Sequence, residues 1–574
     1  MKTFEGRKID SSCPLSEYPT PQFRRDSYLS LNGFWDFALD KKPFEGTFRE
    51  KILVPFSVET PLSSITRHVA KDDVMTYRRF FSLPEGFRSH RVLLHFEAID
   101  QIADIYLNGV HIAHHEGGYL PFTVDCLELK DGDNELRVLV KDDTDSDVFP
   151  RGKQMNKRGG IWYTPTSGIW GSVWLESVPN QVIQSLRIEP DFDNKNVKIA
   201  AKFEGKMLTS QVIVSFNGKF VGEGELNEKL TCVIPLKNLI RPWSPSRPDL
   251  YDVKVRVNED EVSSYFGLRK FSSVEVDGHR VFALNNEPLF LSGVLDQGYY
   301  PDGGLTQPTD KAMIDDIVSM KDLGFNCLRK HIKIEPMRWY YHCDRLGMIV
   351  IQDMVNGGGK YNPLLIMTAP FISYRCNDTK QYHKLGRKNP ESRKCFEETL
   401  GKTVDRLFNC PCIAIWTLFN EGWGQFDAAR LTALLKDLDP TRLIDSTSGW
   451  FDQGVGDFDS RHVYFRRFKA KKTGDRILAL TEFGGYSFRV ANHVYSKFNF
   501  GYTRVKNQER LAKKIQKLYR EQIIPAKKEG LSVAIYTQLS DVEDETNGFL
   551  TYDRKVSKVK TEVMKKINEE LIGK

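Results

Sequence analysis

The order of apolar and polar residues divides the chain into two kinds of territory. Up to about residue 180, short β-rich runs recur without a long helical period: Arg91 to Phe96, Ile102 to Leu107, Glu135 to Val140 and Ser172 to Leu175. Turn residues such as Asn108-Gly109 and Asp131-Gly132-Asp133 separate them. This pattern predicts an all-β sandwich or jelly roll over residues 1–180. Residues 181–275 continue in the same manner, with Val182 to Ile188, Val197 to Phe203, Gln211 to Phe216 and Tyr251 to Val257, and with Asn217-Gly218 as a hairpin turn. Their length suits an immunoglobulin-like β-sandwich.

Near Val281 the rhythm changes to apolar runs alternating with helical periods. Phe290 to Val294, Asn326 to Lys330, Met348 to Asp353, Ile413 to Leu418, Arg442 to Asp445, His462 to Phe465, Ile477 to Thr481 and Val533 to Gln538 read as eight buried strands. Thr309 to Leu323 sets Ile314, Ile317, Met320 and Leu323 at helical spacing. Leu511, Ile515, Leu518 and Ile523 mark a second helix, and Val556, Val559, Val563, Ile567 and Leu571 the last. The alternation predicts a (β/α)8 TIM barrel over residues 276–574, making the chain a multidomain β + α/β protein.

Catalytic groups of such barrels sit at the C-terminal ends of strands. Glu421, in IWTLFNEGWG, follows predicted strand four, and Glu482, in ILALTEFGGYS, predicted strand seven. A single Glu in such a place is ordinarily a cap or a salt-bridge partner. Two of them on different strands of one barrel match the needs of retaining glycoside hydrolysis, an acid and a nucleophile about 5–5.5 Å apart.

Composition narrows the field. The 574 residues are 40% hydrophobic and 28% charged, with a net charge of +6, small for this length. No dense basic stripe argues for nucleic acid, and Lys469 to Lys472 reads as a solvated loop. Aromatic residues, at 12%, suit sandwich cores and sugar-stacking surfaces alike. The start, MKTFEGRKIDSSCP, lacks the apolar core of a secretory signal, and no stretch has the length of a membrane span. Nine scattered cysteines, with Cys410-Pro411-Cys412 lacking a second pair, argue against zinc and for free thiols. The expectation is a cytoplasmic protein without metal or cofactor, with no nucleic-acid or membrane partner, and with scope for a homo-oligomer.

The residues reached so far resemble glycoside hydrolase family 2, the family of β-galactosidases, β-glucuronidases and β-mannosidases. LNGFWDF, IYLNGVHIAHHEGGYLPFTVD and SGIWGSVWLESV resemble its sugar-binding jelly roll. RPDLYDVKVRV with FGLRKF resembles the end of its immunoglobulin-like domain. LNNEPLFLSGV and NCLRKHIKIEPMRWYYHCDRLGMIVIQD resemble the entry to its barrel. The resemblance implies that Glu421 is the general acid/base, Glu482 the nucleophile, Asn420 the partner of the sugar 2-hydroxyl, and Arg329 the arginine that keeps the nucleophile ionised. Tyr464 is a candidate donor to Glu482.

Departures bear on the sugar. Where β-galactosidases read G-V-N-R-H, this chain has Gly293-Val294-Leu295-Asp296-Gln297, and where they read R-x-S-H it has Arg329-Lys330-His331-Ile332. Both pocket histidines are missing at their expected places. Glu545-Thr546-Asn547-Gly548 carries an acid where β-glucuronidases carry the lysine of N-x-K, which argues against a glucuronidase; a β-mannosidase is also the weaker match. Asp296, Gln297, Tyr299, Tyr300, Asp353, Asn356, Trp423, Gln538 and Asp541 follow strand ends and are candidate sugar contacts, or equally structural loop residues. Trp162 and Tyr163, in the loop Arg151 to Gly168, are expected in the core of the first sandwich. The resulting expectation is a retaining exo-β-glycosidase, galactosidase-like with the sugar open, acting on an oligosaccharide or glycoside. The rivals are a non-catalytic carbohydrate-binding protein and a transglycosylase, the latter suggested by Trp423.

Overall fold

The computed structural model describes the chain except residues 238, 369–375, 472 and 574. Lys472 of the basic loop therefore lies outside the described residues.

The first domain is two antiparallel sheets packed face to face. One runs Leu29–Ser30, Val173–Val178, Arg91–Phe96, Phe122–Asp125; the other runs Glu50–Val54, Gly33–Asp40, Val74–Ser82, Asp133–Lys141, Ile102–Leu107, Val110–Glu116. Within Asp133–Lys141, Asn134, Leu136, Val138 and Val140 are buried while their neighbours face outward, the two-residue period of a half-buried strand. Trp35, Tyr77, Phe96, Ile105 and Val138 meet in its core. Each such side chain contributes about 1.5–3 kcal/mol on full burial.

The second domain packs a three-stranded sheet (Val182–Asp191, Asn196–Glu204, Thr231–Pro235) on a four-stranded one (Lys219–Gly224, Ser210–Phe216, Tyr251–Val257, Asp260–Phe266). Tyr251, Val253, Val255 and Val257 point inward and the residues between them outward.

The last domain is a parallel eight-stranded barrel. Its strands are β1 (Leu291–Asp296), β2 (Cys327–Lys330), β3 (Ile349–Asp353), β4 (Ile413–Asn420), β5 (Leu443–Ser448), β6 (Phe458–Val463), β7 (Ile477–Gly484) and β8 (Leu531–Thr537), in the sheet order 5-4-3-2-1-8-7-6. Bonds from Asp457 N–H to the Ile444 carbonyl (2.8 Å) and from Ser460 Oγ to Asp445 Oδ2 (2.8 Å) join the two outer strands. Helices cover the outside of the barrel and side chains fill its interior, so β1, β2, β3, β4, β5, β7 and β8 are buried along their whole length. The helix predicted at Thr309 to Leu323 spans Asp310–Asp322, with the Thr309 side chain accepting from Ala312 N–H at its start.

Strand six differs from its prediction. It occupies Phe458–Val463, not His462 to Phe465. Ser460 and His462 face the barrel interior and bond there: Ser460 with Asp445 and Thr481, His462 with Ser448. The run therefore reads as loop in the sequence. The last helix begins at Thr561, so Val556 and Val559 precede it.

The loop Arg151 to Gly168 leaves the first domain and crosses to the mouth of the barrel. Arg151 and Gly152 N–H groups donate to the Asn356 carbonyl at 2.9 and 3.1 Å. Thr164 N–H donates to Glu543 Oε1 at 2.9 Å, and Arg158 pairs with Glu543 and Asp544 at 3.1 and 3.3 Å.

Candidate active site

Residues from β2, β3, β4, β6 and β7 converge at the C-terminal end of the barrel. Arg329, on β2, is fully buried and organises the floor. Its Nε and Nη2 donate to the two oxygens of Asp353 at 3.0 Å each, a bidentate pair. Nη2 also donates to Asn420 Oδ1 at 2.8 Å, and Nη1 to Glu482 Oε1 at 3.2 Å. One guanidinium thus fixes the end of β3, the amide of Asn420 and the carboxylate of Glu482. With its oxygen held by Arg329, Asn420 turns its Nδ2 inward, and that buried nitrogen has no partner among the described residues. A buried donor left open at a cleft is a ready contact for a ligand hydroxyl.

Glu421 follows β4 in a tight turn. Its backbone is left-handed, with φ 52°, a conformation that is strained for a residue with a Cβ. Its N–H donates to the Ser448 carbonyl at 2.9 Å, and Trp423 N–H to the Asn420 carbonyl at 2.9 Å. The next residue must be glycine: Gly422 has φ +76°, and a Cβ there would lie 2.3 Å from the Phe451 ring. The turn lifts the Glu421 carboxylate toward that of Glu482, and oxygens of the two lie within 4.8 Å of one another and of His462. That spacing suits a retaining pair. Glu421, His462 and Glu482 thus form one buried cluster, with the histidine ring against both carboxyls.

The two carboxyls are pushed apart in acidity. Burial raises the pKa of Glu421, and the charge of Glu482 adds to the effect; the His462 bond and the charge of Lys153 oppose it. Burial also acts to raise Glu482, but His462, Arg329, His331 and the Tyr464 hydroxyl outweigh it and hold that group well below the ordinary carboxylate range. Tyr464 O–H donates to Glu482 Oε2, and its oxygen also lies 2.9 Å from Thr537 Oγ1. One carboxyl raised beside one lowered is the split in acidity that an acid and a nucleophile require.

Two histidines were not singled out by sequence. His462 has Nδ1 2.8 Å from Glu421 Oε1 and 3.7 Å from Glu482 Oε2, while Nε2 lies 2.9 Å from Ser448 Oγ. Donation from Nδ1 orients one oxygen of Glu421 and leaves the other for a substrate. His331, next but one after Arg329, has Nδ1 2.8 Å from Asp353 Oδ2. Its pKa is pushed down to about 4 by burial and by the charge of Lys153. The pocket thus holds two histidines, neither at a position where the galactosidase pattern puts one.

The other candidates separate. Asp353 serves Arg329 and His331. Asp296 lies in a different network, with Lys330 Nζ at 2.6 Å and Gly298 N–H at 2.9 Å. Gln538 accepts from Gln297 at 2.8 Å and donates to Glu545 and Asn547 at 3.0 and 2.9 Å. Tyr300 bonds Asp316, and Asp541 bonds Lys558. Tyr299 packs against Tyr163, with ring centroids 4.8 Å apart. Asn356 has both side-chain polar atoms buried without a partner among the described residues.

Contrary to the expectation from sequence, Trp162 and Tyr163 do not belong to the core of the first sandwich. Tyr163 O–H donates to Glu545 Oε1 at 2.8 Å, and Trp162 packs 5.2 Å from Trp423 and 6.0 Å from Tyr361. The reason is the bonding of their loop to the barrel. Trp423, 3% exposed, completes an aromatic group two residues beyond Glu421.

Three sequence profiles match the chain: "Glycosyl hydrolase 2 galactose-binding domain-like" over residues 58–158, "Glycosyl hydrolases family 2" over 181–269, and "Glycosyl hydrolases family 2, TIM barrel domain" over 274–478. The chain belongs to glycoside hydrolase family 2. It is 28% identical to a β-galactosidase of Thermoanaerobacterium thermosulfurigenes over 397 residues, 64% of this chain and 49% of that protein. It is 26% identical to a putative β-glucuronidase of Formosa agariphila over 394 residues, 65% and 34% of the two chains. It spans about half or less of the length of these relatives. Among solved structures, a β-glucuronidase of an uncultured Clostridium superposes with TM-score 0.74 at 18% identity, covering 97% of this chain and 99% of that one. A β-galacturonidase from Eisenbergiella tayi gives 0.71 at 18%, covering 96% and 98%. These likenesses extend the fold to all three domains.

Proposed function

We propose that the protein is a retaining exo-β-glycosidase that removes a terminal β-linked sugar from a glycoside or oligosaccharide by double displacement. The observation that carries this reading is the pair of carboxyls within 4.8 Å, one raised and one lowered in pKa. Glu482 attacks the anomeric carbon while Glu421 gives its proton to the departing oxygen. Glu421, now a base, takes a proton from the water that releases the sugar from Glu482. Two inversions leave the configuration unchanged. Asn420 Nδ2 is positioned for the 2-hydroxyl, whose bond tightens as the oxocarbenium-like transition state forms. Galactosidase-named relatives support a galacto-configured terminal sugar.

Proton NMR of the first-formed product tests the reading. The β-anomer is expected from an aryl β-glycoside, and an α-anomer appearing first overturns double displacement. The aromatic group of Trp162, Tyr361 and Trp423 supports a sugar or aryl group on the leaving side, where an acceptor other than water would also bind. Transglycosylation is read by chromatography at high acceptor concentration; release of free monosaccharide alone assigns hydrolysis.

A further inference from the structure

Four lysines are buried among the described residues: Lys153, Lys330, Lys333 and Lys558. Three are neutralised. Lys330 Nζ lies 2.6 Å from Asp296 and 2.7 Å from Glu335. Lys333 Nζ lies 2.9 Å from Glu335 and donates to the carbonyls of Gly298 and Leu305. Lys558 pairs with Asp541 and donates to the Thr546 carbonyl.

Lys153 differs. It is 6% exposed and comes from the first-domain loop, and among the described residues its Nζ meets no carboxylate and no hydrogen-bond acceptor. The ammonium lies instead 5.6 Å from the ring centroid of Trp423 and 5.5 Å from that of Tyr163. Ring faces recover only part of the hydration that a buried ammonium loses. Its charge acts on His331, Glu421 and Glu545, so it stands at the catalytic end of the barrel. The carboxylate of Glu545 is occupied elsewhere, by the Tyr163 hydroxyl and by Gln538. The other cation of the site, Arg329, is used up by Asp353, Asn420 and Glu482. Lys153 is therefore the cation at this site whose hydrogen-bond donors are free.

We infer that Lys153 is a specificity-determining residue of the site, receiving an anionic substituent, a carboxylate or a sulfate ester, carried by the sugar that is released. The inference rests on the retaining-glycosidase reading. It places the lysine on the first domain and not in the strand-eight loop, which carries Glu545. The competing role is a counter-ion for the site's carboxylates, which affects charged and neutral substrates alike.

The test compares kcat/KM of the wild type, Lys153→Met and Lys153→Arg on aryl β-D-galacturonide, β-D-glucuronide and 6-sulfo-β-D-galactoside, against aryl β-D-galactoside and β-D-glucoside. The wild type is expected to favour one of the anionic arms, and which arm it favours separates carboxylate from sulfate. Lys153→Met is expected to lower the anionic-to-neutral ratio by about 100-fold, the range for a hydrogen bond to a charged group. Lys153→Arg is expected to keep most of the ratio. A wild type that prefers the neutral arms, or a ratio unmoved by Lys153→Met, overturns the inference. If no arm is turned over, the glycosidase reading fails separately. Calorimetric titration with D-galacturonate, D-glucuronate, galactose 6-sulfate and D-galactose then decides: anionic binding lost in Lys153→Met sustains the inference, and equal binding of charged and neutral sugars overturns it.

Discussion

At the end of β4, Glu421 stands on a left-handed turn, bonded to a histidine and close to another carboxylate. At the end of β7, Glu482 lies within its strand and accepts from Arg329 and Tyr464. Both are buried, and burial acts to raise both pKa values. What differs is the count of positive charges and donors turned toward each. A residue type and a strand end thus supply two similar carboxyls, and their neighbours raise the pKa of one and lower that of the other, the split on which the proposed acid and nucleophile roles rest.

Removing the nucleophile breaks the comparison most completely. Glu482→Ala is expected to lower kcat/KM on every aryl β-glycoside by roughly 10⁴–10⁶-fold, the scale for loss of a covalent nucleophile. Residual activity above a hundredth of wild type, by release of nitrophenol, is incompatible with the assignment.

Glu421→Ala should cost about 10²–10⁴-fold on substrates with poor leaving groups, and much less on dinitrophenyl glycosides, whose glycosylation needs no proton. The glycosyl-enzyme then accumulates, visible by mass spectrometry, and azide restores turnover as a β-glycosyl azide. An α-azide from Glu482→Ala fits a lost nucleophile, whereas a β-azide from Glu482→Ala with an α-azide from Glu421→Ala would reverse the two roles.

Arg329→Met removes the charge that holds Glu482 ionised and leaves Asp353 unpaired. The pKa of Glu482 rises, so the acid limb of the kcat/KM profile, where the nucleophile becomes protonated, moves to higher pH. Breaking a buried pair of this kind also costs about 3–5 kcal/mol of stability, read by chemical denaturation. An unmoved acid limb in a folded variant would remove Arg329 from this role.

His462→Gln addresses the link between the two carboxyls. His462 lowers both pKa values, so both limbs of the profile should shift upward together, with roughly a 10-fold fall in kcat/KM, on the scale of about one pKa unit. A shift of one limb alone would confine the histidine to one partner. Trp162→Ala is the mildest change. It should raise KM for disaccharides by about 3–10-fold, the value of one aromatic contact, and leave small aryl glycosides nearly unaffected.

Much of this site was legible because buried parallel strands leave a plain mark. Ile413 to Phe419 and Ile477 to Leu480 are short, predominantly apolar runs, and a carboxylate or amide just beyond them has few places to be other than the barrel mouth. Asn420, Glu421 and Glu482 stood out on that ground, and Arg329 by its motif. His462 did not, because β6 carries Asp459, Ser460 and His462 in place of an apolar run; Ser460 and His462 bond across the barrel interior while Asp459 pairs with Arg461, and a strand built of polar residues resembles a loop. His331 was seen only as a failed match to another pattern, since the sequence does not reveal that Asp353 would receive its Nδ1.

The sequence by itself determined the order of the architectures and set two glutamates at the ends of barrel strands, because periodicity and strand-end position are local properties of the chain. Tertiary structure alone decided the acidity of each carboxyl, the bridging histidine and the contribution of the first domain. Acidity depends on desolvation and on charges several residues or whole domains away. Lys153, Trp162 and Tyr163 belong by chain position to a β-sandwich, and only the bonding of their loop to Asn356, Glu543 and Glu545 brings them to the barrel.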